Sequence, residues 1–294
     1  MKKILIINRK VEIEDSIAEL KRVAEETGEI QVSTGCFSDI NLLIDGENTC
    51  IKNEKTGEDL ADFDKILCIT TAPFERRHIF NAYGCYCRKK GVIMADDTFA
   101  NASGKLYEMW RCWEHDVVVP KTAYGTKEFL GKCLVENFGG IGVFKSIRGT
   151  KGQDNYLVHS PEEIAKIVDE NPDIEYILQE FIPNDGDYRI VTLGFEPYMA
   201  IYRSSGGKDH RNNTSLGGSA KIIPLEEVNP EILEMSRVAA KATNKRFAGV
   251  DVITHRDTGK NYILEVNHTP QVVTGAFIEE KYKVLRDYFL VDGQ

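Results

Sequence analysis

The stretch from Phe247 to Gly275, FAGVDVITHRDTGKNYILEVNHTPQVVTG, constrains this chain more than any other. Two β-rich runs, Val250–Thr254 and Asn261–Asn267, flank the polar turn Arg256-Asp257-Thr258-Gly259-Lys260, the pattern of an antiparallel hairpin. Side chains alternate between faces along a strand, so Glu265 and Asn267 share one face. In-register pairing brings Asp251 to the same place. Three oxygen donors on apolar strands suit a hard cation such as Mg²⁺, which completes its shell with water and phosphate oxygens. The same alternation describes a half-buried hairpin whose polar face is simply wet. This stretch alone leaves both readings open.

The rest of the chain is α/β and α+β in pattern. Residues 1–100 alternate strand and helix signals: a buried strand at Lys3–Asn8, a helix over Ile13–Thr27 ending at Gly28, and a strand at Ile30–Ser33. A small hairpin over Ile40–Ile44 and Thr49–Lys52, a strand at Lys65–Thr70, a helix over His78–Lys90 and a strand at Val92–Ala95 complete an open α/β domain. No GxGxxG follows the first strand, so no dinucleotide site is expected. A boundary is expected near residue 100. Beyond it, Ala102–Glu114 has helical spacing, with Leu106, Met109, Trp110 and Trp113 expected in the core.

The run Gly139–Ser146 ends a strand at Lys145 and leads into the small-residue loop Ile147-Arg148-Gly149-Thr150-Lys151-Gly152-Gln153. Glycines let backbone N–H groups approach phosphate and lysines supply charge, but such a loop is also an ordinary turn, and GxxxxGK[ST] is absent. Ser160-Pro161-Glu162-Glu163 starts a helix, with Ser160 as cap. Strands are expected at Tyr176–Phe181, Asp187–Leu193 and Met199–Arg203, and an amphipathic helix over 229–246. Between them the loop from Ser204 to Ser219 is polar but for Leu216.

Bulk properties exclude several classes. A net charge of −9 and a pI near 5.3 argue against a surface built for nucleic acid, and no apolar run approaches the length of a membrane span. The start, MKKILIIN, is too short in its apolar part for a signal peptide and reads as a first strand. The seven cysteines include no CxxC pair, so zinc is not expected and reduced thiols in a cytoplasmic protein are.

Taken in order, Lys105, Lys145 with its Gly-Thr-Lys-Gly loop, Gln179-Glu180-Phe181-Ile182, Asp187-Tyr188-Arg189, Arg203, Arg211-x-Asn213, Asp251 and Glu265-x-Asn267 resemble the ATP-grasp superfamily, and within it the RimK-like carboxylate–amine ligases. The resemblance covers roughly residues 1–280. It implies an N-terminal open α/β (pre-ATP-grasp) domain, residues 1–100, followed by a two-lobed ATP-grasp fold: a central lobe with the glycine-rich loop (101–180) and a C-terminal lobe with the metal site (181–294). It implies ATP between the lobes and Mg²⁺, two ions bridging the β- and γ-phosphates, with Mn²⁺ an admissible substitute. Lys105 and Lys145 then hold phosphates, Gly149, Thr150, Lys151 and Gly152 close over them, and Gln179, Glu180, Phe181 and Ile182 connect the lobes, with backbone groups of Glu180 and Ile182 reading the adenine edge. Asp187 and Arg189 join the nucleotide-binding set, with a structural Arg189–Asp187 pair or an acceptor role for Arg189 as alternatives. Asp251, Glu265 and Asn267 are the metal ligands, and Arg203, Arg211 and Asn213 the catalytic residues.

The implied reaction is phosphorylation of a carboxylate and attack of an amine on the acyl phosphate, giving an amide, ADP and phosphate. The implied partners are an amino acid, peptide or protein substrate, with no nucleic acid and no membrane; a homo-oligomer is an admissible assembly. After Asn267 the chain continues His268-Thr269-Pro270-Gln271 rather than with the small residues usual in the family. That departure bears on the acceptor. It keeps a ligase that crosslinks side chains of a ribosomal peptide as an alternative, with a small-molecule kinase or a non-turning nucleotide binder behind it.

Overall fold

The computed structural model describes residues 1–8, 14–45, 48–69, 77–95, 104–147, 154–204, 218–268, 270, 272–273 and 275–291. The first part holds β1 (Lys2–Asn8), α1 (Glu14–Glu25), β2 (Ile30–Cys36), β3 (Ile40–Asp45), β4 (Asn48–Asn53), β5 (Lys65–Cys68), α2 (Arg77–Lys90) and β6 (Ile93–Met94). Four of these strands form a parallel sheet in the order β2-β1-β5-β6, and β3 and β4 pair as a separate hairpin. β1 is apolar on both faces because both are covered. Ile4 and Ile6 pack with α1, while Leu5 and Ile7 pack with residues of α2. The expected boundary near residue 100 falls outside the described residues.

The middle of the chain holds α3 (Lys105–Glu114), β7 (Thr122–Ala123), α4 (Lys127–Glu136), β8 (Gly142–Ser146), β9 (Asn155–Val158), α5 (Pro161–Glu170) and β10 (Tyr176–Glu180). Its sheet runs β7-β10-β8-β9, all antiparallel. Ser160 caps α5, accepting the Glu163 N–H at 3.3 Å, with Pro161 at the first helical position. Phe144 and Leu178 turn toward α4 and α5, so the alternating Lys145 and Gln179 turn to the opposite face.

The last part holds β11 (Asp187–Leu193), β12 (Glu196–Ser204), β13 (Ser219–Ile223), α6 (Pro230–Ala242), β14 (Phe247–Thr254), β15 (Asn261–His268) and α7 (Ile278–Leu290). Its sheet order is β13-β12-β11-β14-β15, again antiparallel. One face packs on α3 and α6 through Ile190, Ala200, Val250 and Val252. The other carries Val191, Leu193 and Met199 into the cluster that also contains Ile4, Ile6 and the apolar side of α7. This is the expected arrangement of a parallel α/β part and two antiparallel lobes. Among the described residues no helix is long and apolar enough to cross a membrane.

Two expectations are corrected. Trp110 and Trp113 are not core residues: they are 58% and 62% exposed and lie against each other at 5.1 Å between ring centroids. α3 instead buries Glu108, Met109 and Cys112. The apolar spacing marks one stripe, but the helix is rotated so that a carboxylate faces inward, for a reason given below. α4, β9, β13 and α7 lie where no element is expected. α7 contacts α1, β1 and β12, and a helix buried on more than one side shows no clean apolar stripe.

Lys65 anchors α7. Its Nζ is 2.6 Å from both the Tyr288 and Val291 carbonyls and lies 3.9 Å from the centroid of the Tyr288 ring. A buried ammonium at a helix C-terminus satisfies carbonyls that have no partner within the helix. Lys65→Met is therefore expected to lower stability by about 3 kcal/mol, since hydrogen bonds to a charged group contribute about 1.5–3 kcal/mol each. Urea unfolding checks this. An unchanged midpoint would show that α7 is held by its apolar face alone.

Candidate functional site

The hairpin forms as its sequence predicts. The turn closes with the His255 N–H donating to the Lys260 carbonyl at 2.8 Å, and Gly259 takes the left-handed φ of 71° that the turn needs. Asp251 stands directly opposite Glu265, and Gly249 opposite Asn267. Asn267 Nδ2 lies 3.5 Å from Asp251 Oδ2. A bulge follows, because Val252 pairs with Ile263 and leaves Leu264 unmatched. It lets Ile263 and Val266, three apart, both enter the core, while Glu265 and Asn267 stay on the polar face.

The neighbouring strands supply cations to the same spot. Register places Arg189 opposite Asp251 and Asp187 opposite Arg203. Arg203 grips Asp187 with both nitrogens, at 2.9 and 2.5 Å, and reaches Asp251 Oδ1 at 3.1 Å. Arg189 makes a second two-pronged pair with Asp251, through Nη2 at 2.8 Å and through Nε. The alternative in which Arg189 pairs with Asp187 is thus not what forms. Cross-strand neighbours face each other more closely than residues two apart on one strand. Gly249 makes room, since a Cβ there would stand 2.9 Å from Arg189 Cδ.

Burial and charge compete here. Burial pushes the Asp251 carboxyl up, but Arg189 and Arg203 outweigh it and hold the group below its ordinary value. Burial wins at Asp187, which sits above its ordinary value despite Arg203. Burial also acts against the Arg203 guanidinium, and the two aspartates together keep it charged.

The central lobe contributes two lysines. Gly104 opens α3 against the end of β8, with the Lys105 N–H toward the Ile147 carbonyl at 3.4 Å. A Cβ at Gly104 would collide with the Ile147 side chain and lie 3.0 Å from its carbonyl oxygen. This close approach sets Lys105 beside Lys145, and Lys105 Nζ is 3.6 Å from Glu265 Oε1. Burial lowers the Lys145 ammonium from 10.5 to about 8, with Glu265 pulling it back and Lys105 adding to the fall.

β10 runs through Gln179 and Glu180 into an extended connection, 181–186, that leads to β11. Gln179 is buried and donates to Thr122 Oγ1 at 3.1 Å. The Glu180 N–H donates to the Lys121 carbonyl at 2.8 Å, and the Ile182 carbonyl accepts from Asn184 Nδ2 at 2.9 Å. Phe181 is half-buried beside them.

Lys105, Lys145, Asp187, Arg189, Arg203, Asp251, Glu265 and Asn267 are therefore brought together. Gly149, Thr150, Lys151, Gly152, Arg211, Asn213 and Gln271 lie outside the described residues. Lys281 is a group the sequence does not flag: it is buried on the first turn of α7, and burial first and Arg189 second push it down to about 8. Only recognition of α7 and its packing side could have found it.

Two carboxylates and an amide oxygen on one polar face form a hard donor set, and they fit Mg²⁺ in kind. Arg189 and Arg203 take up the Asp251 oxygens, so metal binding would require them to turn toward another anion. A cavity of about 450 Å³ lined by Lys121, Tyr124, Phe129, Cys133 and Phe138 lies on the helix-covered side of the central sheet and is not part of this site.

Two antiparallel lobes, with lysines at the end of one facing a carboxylate hairpin on the other, define an ATP-grasp architecture. Residues 113–284 match the RimK-like ATP-grasp domain, and the chain belongs to that family. A probable alpha-L-glutamate ligase of Psychromonas ingrahamii is 29% identical over 171 residues, 56% of this chain and 55% of that protein. The tetrahydromethanopterin:alpha-L-glutamate ligase of Methanosarcina acetivorans is 30% identical over 209 residues, 61% of this chain and 63% of that protein. The chain thus spans little more than half the length of the first relative and under two thirds of the second. The solved structure of the ATP-grasp ligase PsnB complexed with minimal precursor, Mg and ADP matches with a TM-score of 0.74 at 14% identity, over 97% of this chain and 96% of that one. At that identity the likeness is one of fold.

Proposed function

We propose that this chain is an ATP-dependent carboxylate–amine ligase, acting in the cytoplasm on an amino acid or a peptide. The observation that carries the reading is the convergence of Lys105, Lys145 and Arg203 with Asp251, Glu265 and Asn267 at the meeting of the two lobes. Lys105 and Lys145 hold the phosphates, and backbone groups of Glu180 and Ile182 read the adenine edge. Asp251, Glu265 and Asn267 would hold Mg²⁺, two ions in our reading, which supply charge neutralisation and a template for the phosphates. Arg203, which reaches both Asp187 and Asp251, would face the transferring phosphoryl group. A loose phosphoryl transition state is served by such preorganised cations. A carboxylate oxygen of the substrate attacks the γ-phosphorus while the bond to ADP breaks; the amine then attacks the acyl carbon and gives up a proton, the amide bond forms, and phosphate leaves with both electrons of the broken C–O bond. Arg211 and Asn213 as catalytic residues, and Gly149, Thr150, Lys151 and Gly152 as phosphate-binding ones, complete the proposed set.

Isotope transfer tests the chemistry. A substrate carrying ¹⁸O in its carboxyl group should place one ¹⁸O in the released phosphate, and hydroxylamine should trap a hydroxamate when the amine is withheld. Amide formation with unlabelled phosphate would sink the acyl-phosphate route. The His268-Thr269-Pro270-Gln271 departure supports a second reading, a crosslink within a peptide substrate. Mass spectrometry separates the two, because a crosslink changes the peptide mass by loss of one water and adds no residue.

Lys145 gives the nucleotide reading a pH signature. In the free protein its charged fraction falls from about a half at pH 8 to about a tenth at pH 9, so ATP affinity should drop about five-fold across that interval. Stability should move the other way. The folded value lies below the unfolded one, so the native state binds fewer protons between pH 8 and about 10.5, and Lys145 makes the fold more stable as pH rises there. Calorimetric titration with ATP and thermal melting, run side by side, check both slopes. A flat affinity through pH 9 would remove Lys145 from the phosphate site.

A further inference from the structure

Glu108 and Lys245 form a buried ion pair to which none of the roles above gives a use. Glu108 Oε1 lies 2.6 Å from Lys245 Nζ, and the two side chains are only 9% and 3% exposed. Both also reach the same backbone. Glu108 Oε2 accepts the Val266 N–H at 3.3 Å, and Lys245 Nζ donates to the Val266 carbonyl. Val266 is the residue between Glu265 and Asn267. Its two polar backbone groups are thus held by one ion pair.

The topology explains why side chains are needed there. Among the described residues β15 is an edge strand, with β14 on one side and no strand on the other. A buried edge leaves N–H and C=O groups that something must satisfy. Nearer the hairpin turn the Val118 carbonyl does this, accepting the Ile263 N–H at 2.9 Å. At Val266 the Glu108–Lys245 pair does it. Lys245 is delivered by the turn that ends α6, where Asn244 adopts a left-handed φ of 53° and the Lys245 N–H donates to the Ala240 carbonyl at 2.9 Å. Glu108 is one helical turn from Lys105, whose Nζ is 3.6 Å from Glu265 Oε1. The first turn of α3 therefore holds the side chain of residue 265 and the backbone of residue 266 together.

A buried ion pair contributes little net stability compared with apolar residues of the same volume, whereas its geometry is specific. We propose that Glu108 and Lys245 are positioning residues that keep the Glu265–Asn267 oxygen ligands in register with the phosphate lysine Lys105. This rests on the nucleotide and metal reading above. The pair touches no substrate; it acts through the backbone of Val266.

The test uses the full chain with Lys245→Met, Glu108→Gln and Lys245→Arg. Hydrogen exchange at the Val266 amide, Mn²⁺ binding in the presence of ADP, the Mg²⁺ dependence of ATP turnover and thermal melting are measured for each. Lys245→Met should raise the Mg²⁺ concentration for half-maximal turnover and weaken Mn²⁺ binding by at least ten-fold, speed Val266 exchange, and leave metal-free ATP binding within two-fold of wild type. Lys245→Arg should recover part of the metal affinity. Should Lys245→Met fail to fold, Glu108→Gln, which keeps the shape and an acceptor for Val266, should show the same metal defect. Wild-type metal dependence in the folded variants, whatever their melting temperature, makes the pair purely structural and overturns the proposal. Absence of any Mg·ATP effect on the wild-type protein is a different result: it overturns the nucleotide reading, and the positioning role with it.

Discussion

Glu265→Gln is expected to fold as the wild type does and to lose ATP turnover by about three orders of magnitude or more. The substitution keeps the shape and one oxygen but removes a negative charge directly opposite Asp251. A preorganised charge at a phosphoryl-transfer site contributes several kcal/mol to the barrier, which corresponds to factors of about a hundred to a thousand for one donor and more for a metal ligand. Folding should not suffer, because Glu265 is partly exposed, with 30% of its side chain accessible, and its ion pair is with Lys105 at 3.6 Å. Glutamine relieves that lysine of a partner at a half-buried position, a small effect. Steady-state turnover at saturating Mg²⁺, with a melting curve beside it, decides the matter. Turnover near the wild-type rate would remove the metal assignment of this hairpin.

The second large effect is one of stability. Arg203→Met should destabilise the protein by about 3–5 kcal/mol, the usual cost of removing one partner from a buried ion network. Asp187, Arg203 and Asp251 are 6%, 8% and 6% exposed, so water cannot replace the lost guanidinium. Arg189 still serves Asp251, and Asp187 is left stranded. Arg203→Lys keeps the charge but lacks the fork that grips Asp187 with two nitrogens, and should recover only part of the loss.

The pH dependence reports the cause. In the wild type Asp251 is held below its ordinary 3.8, so its stabilisation is present above that value and fades as pH falls through the lower folded value. In Arg203→Met the stranded Asp187 titrates well above 3.8 when folded. Its penalty is absent at low pH and grows as pH rises from the unfolded value toward the raised one. Urea midpoints at pH 4.5 and pH 7 should therefore differ less between variant and wild type at the lower pH. An equal deficit at both would mean that the loss comes from packing rather than charge.

What was legible in the sequence follows from locality. Asp251, Glu265 and Asn267 lie on two strands joined by one polar turn, so alternation and the turn residues place them on one face without knowledge of the rest of the chain. Ser160-Pro161 announces α5 for the same reason. The bulge after Asp251 left Glu265 and Asn267 on their shared face, so the prediction survived a register shift that strict alternation does not contain.

Contacts between distant segments were not legible in that way. Which carboxylate Arg189 pairs with depends on the register of β11 against β14, which the apolar contacts on both faces of their sheet hold, and a two-residue spacing on one strand says nothing about it. Trp110 and Trp113 carry the spacing of a core stripe, yet α3 is turned by Glu108, which has Lys245 and Val266 to meet, 137 and 158 residues away in sequence. α7 is hidden because its apolar residues serve more than one neighbour at once.

By itself the sequence determined the local chemistry of this protein: the hairpin, its oxygen donors, the strand that carries Lys145, and the order of motifs that resembles a RimK-like ligase. The tertiary structure alone decided which charges meet. Cross-strand register gave Asp251 two arginines, the close approach at Gly104 set Lys105 beside Glu265, and the open edge of β15 drew a buried carboxylate and ammonium to Val266. The physical reason is that periodicity specifies faces and turns within a few residues, whereas the pairing of buried charges depends on which faces the folded chain brings within hydrogen-bond distance.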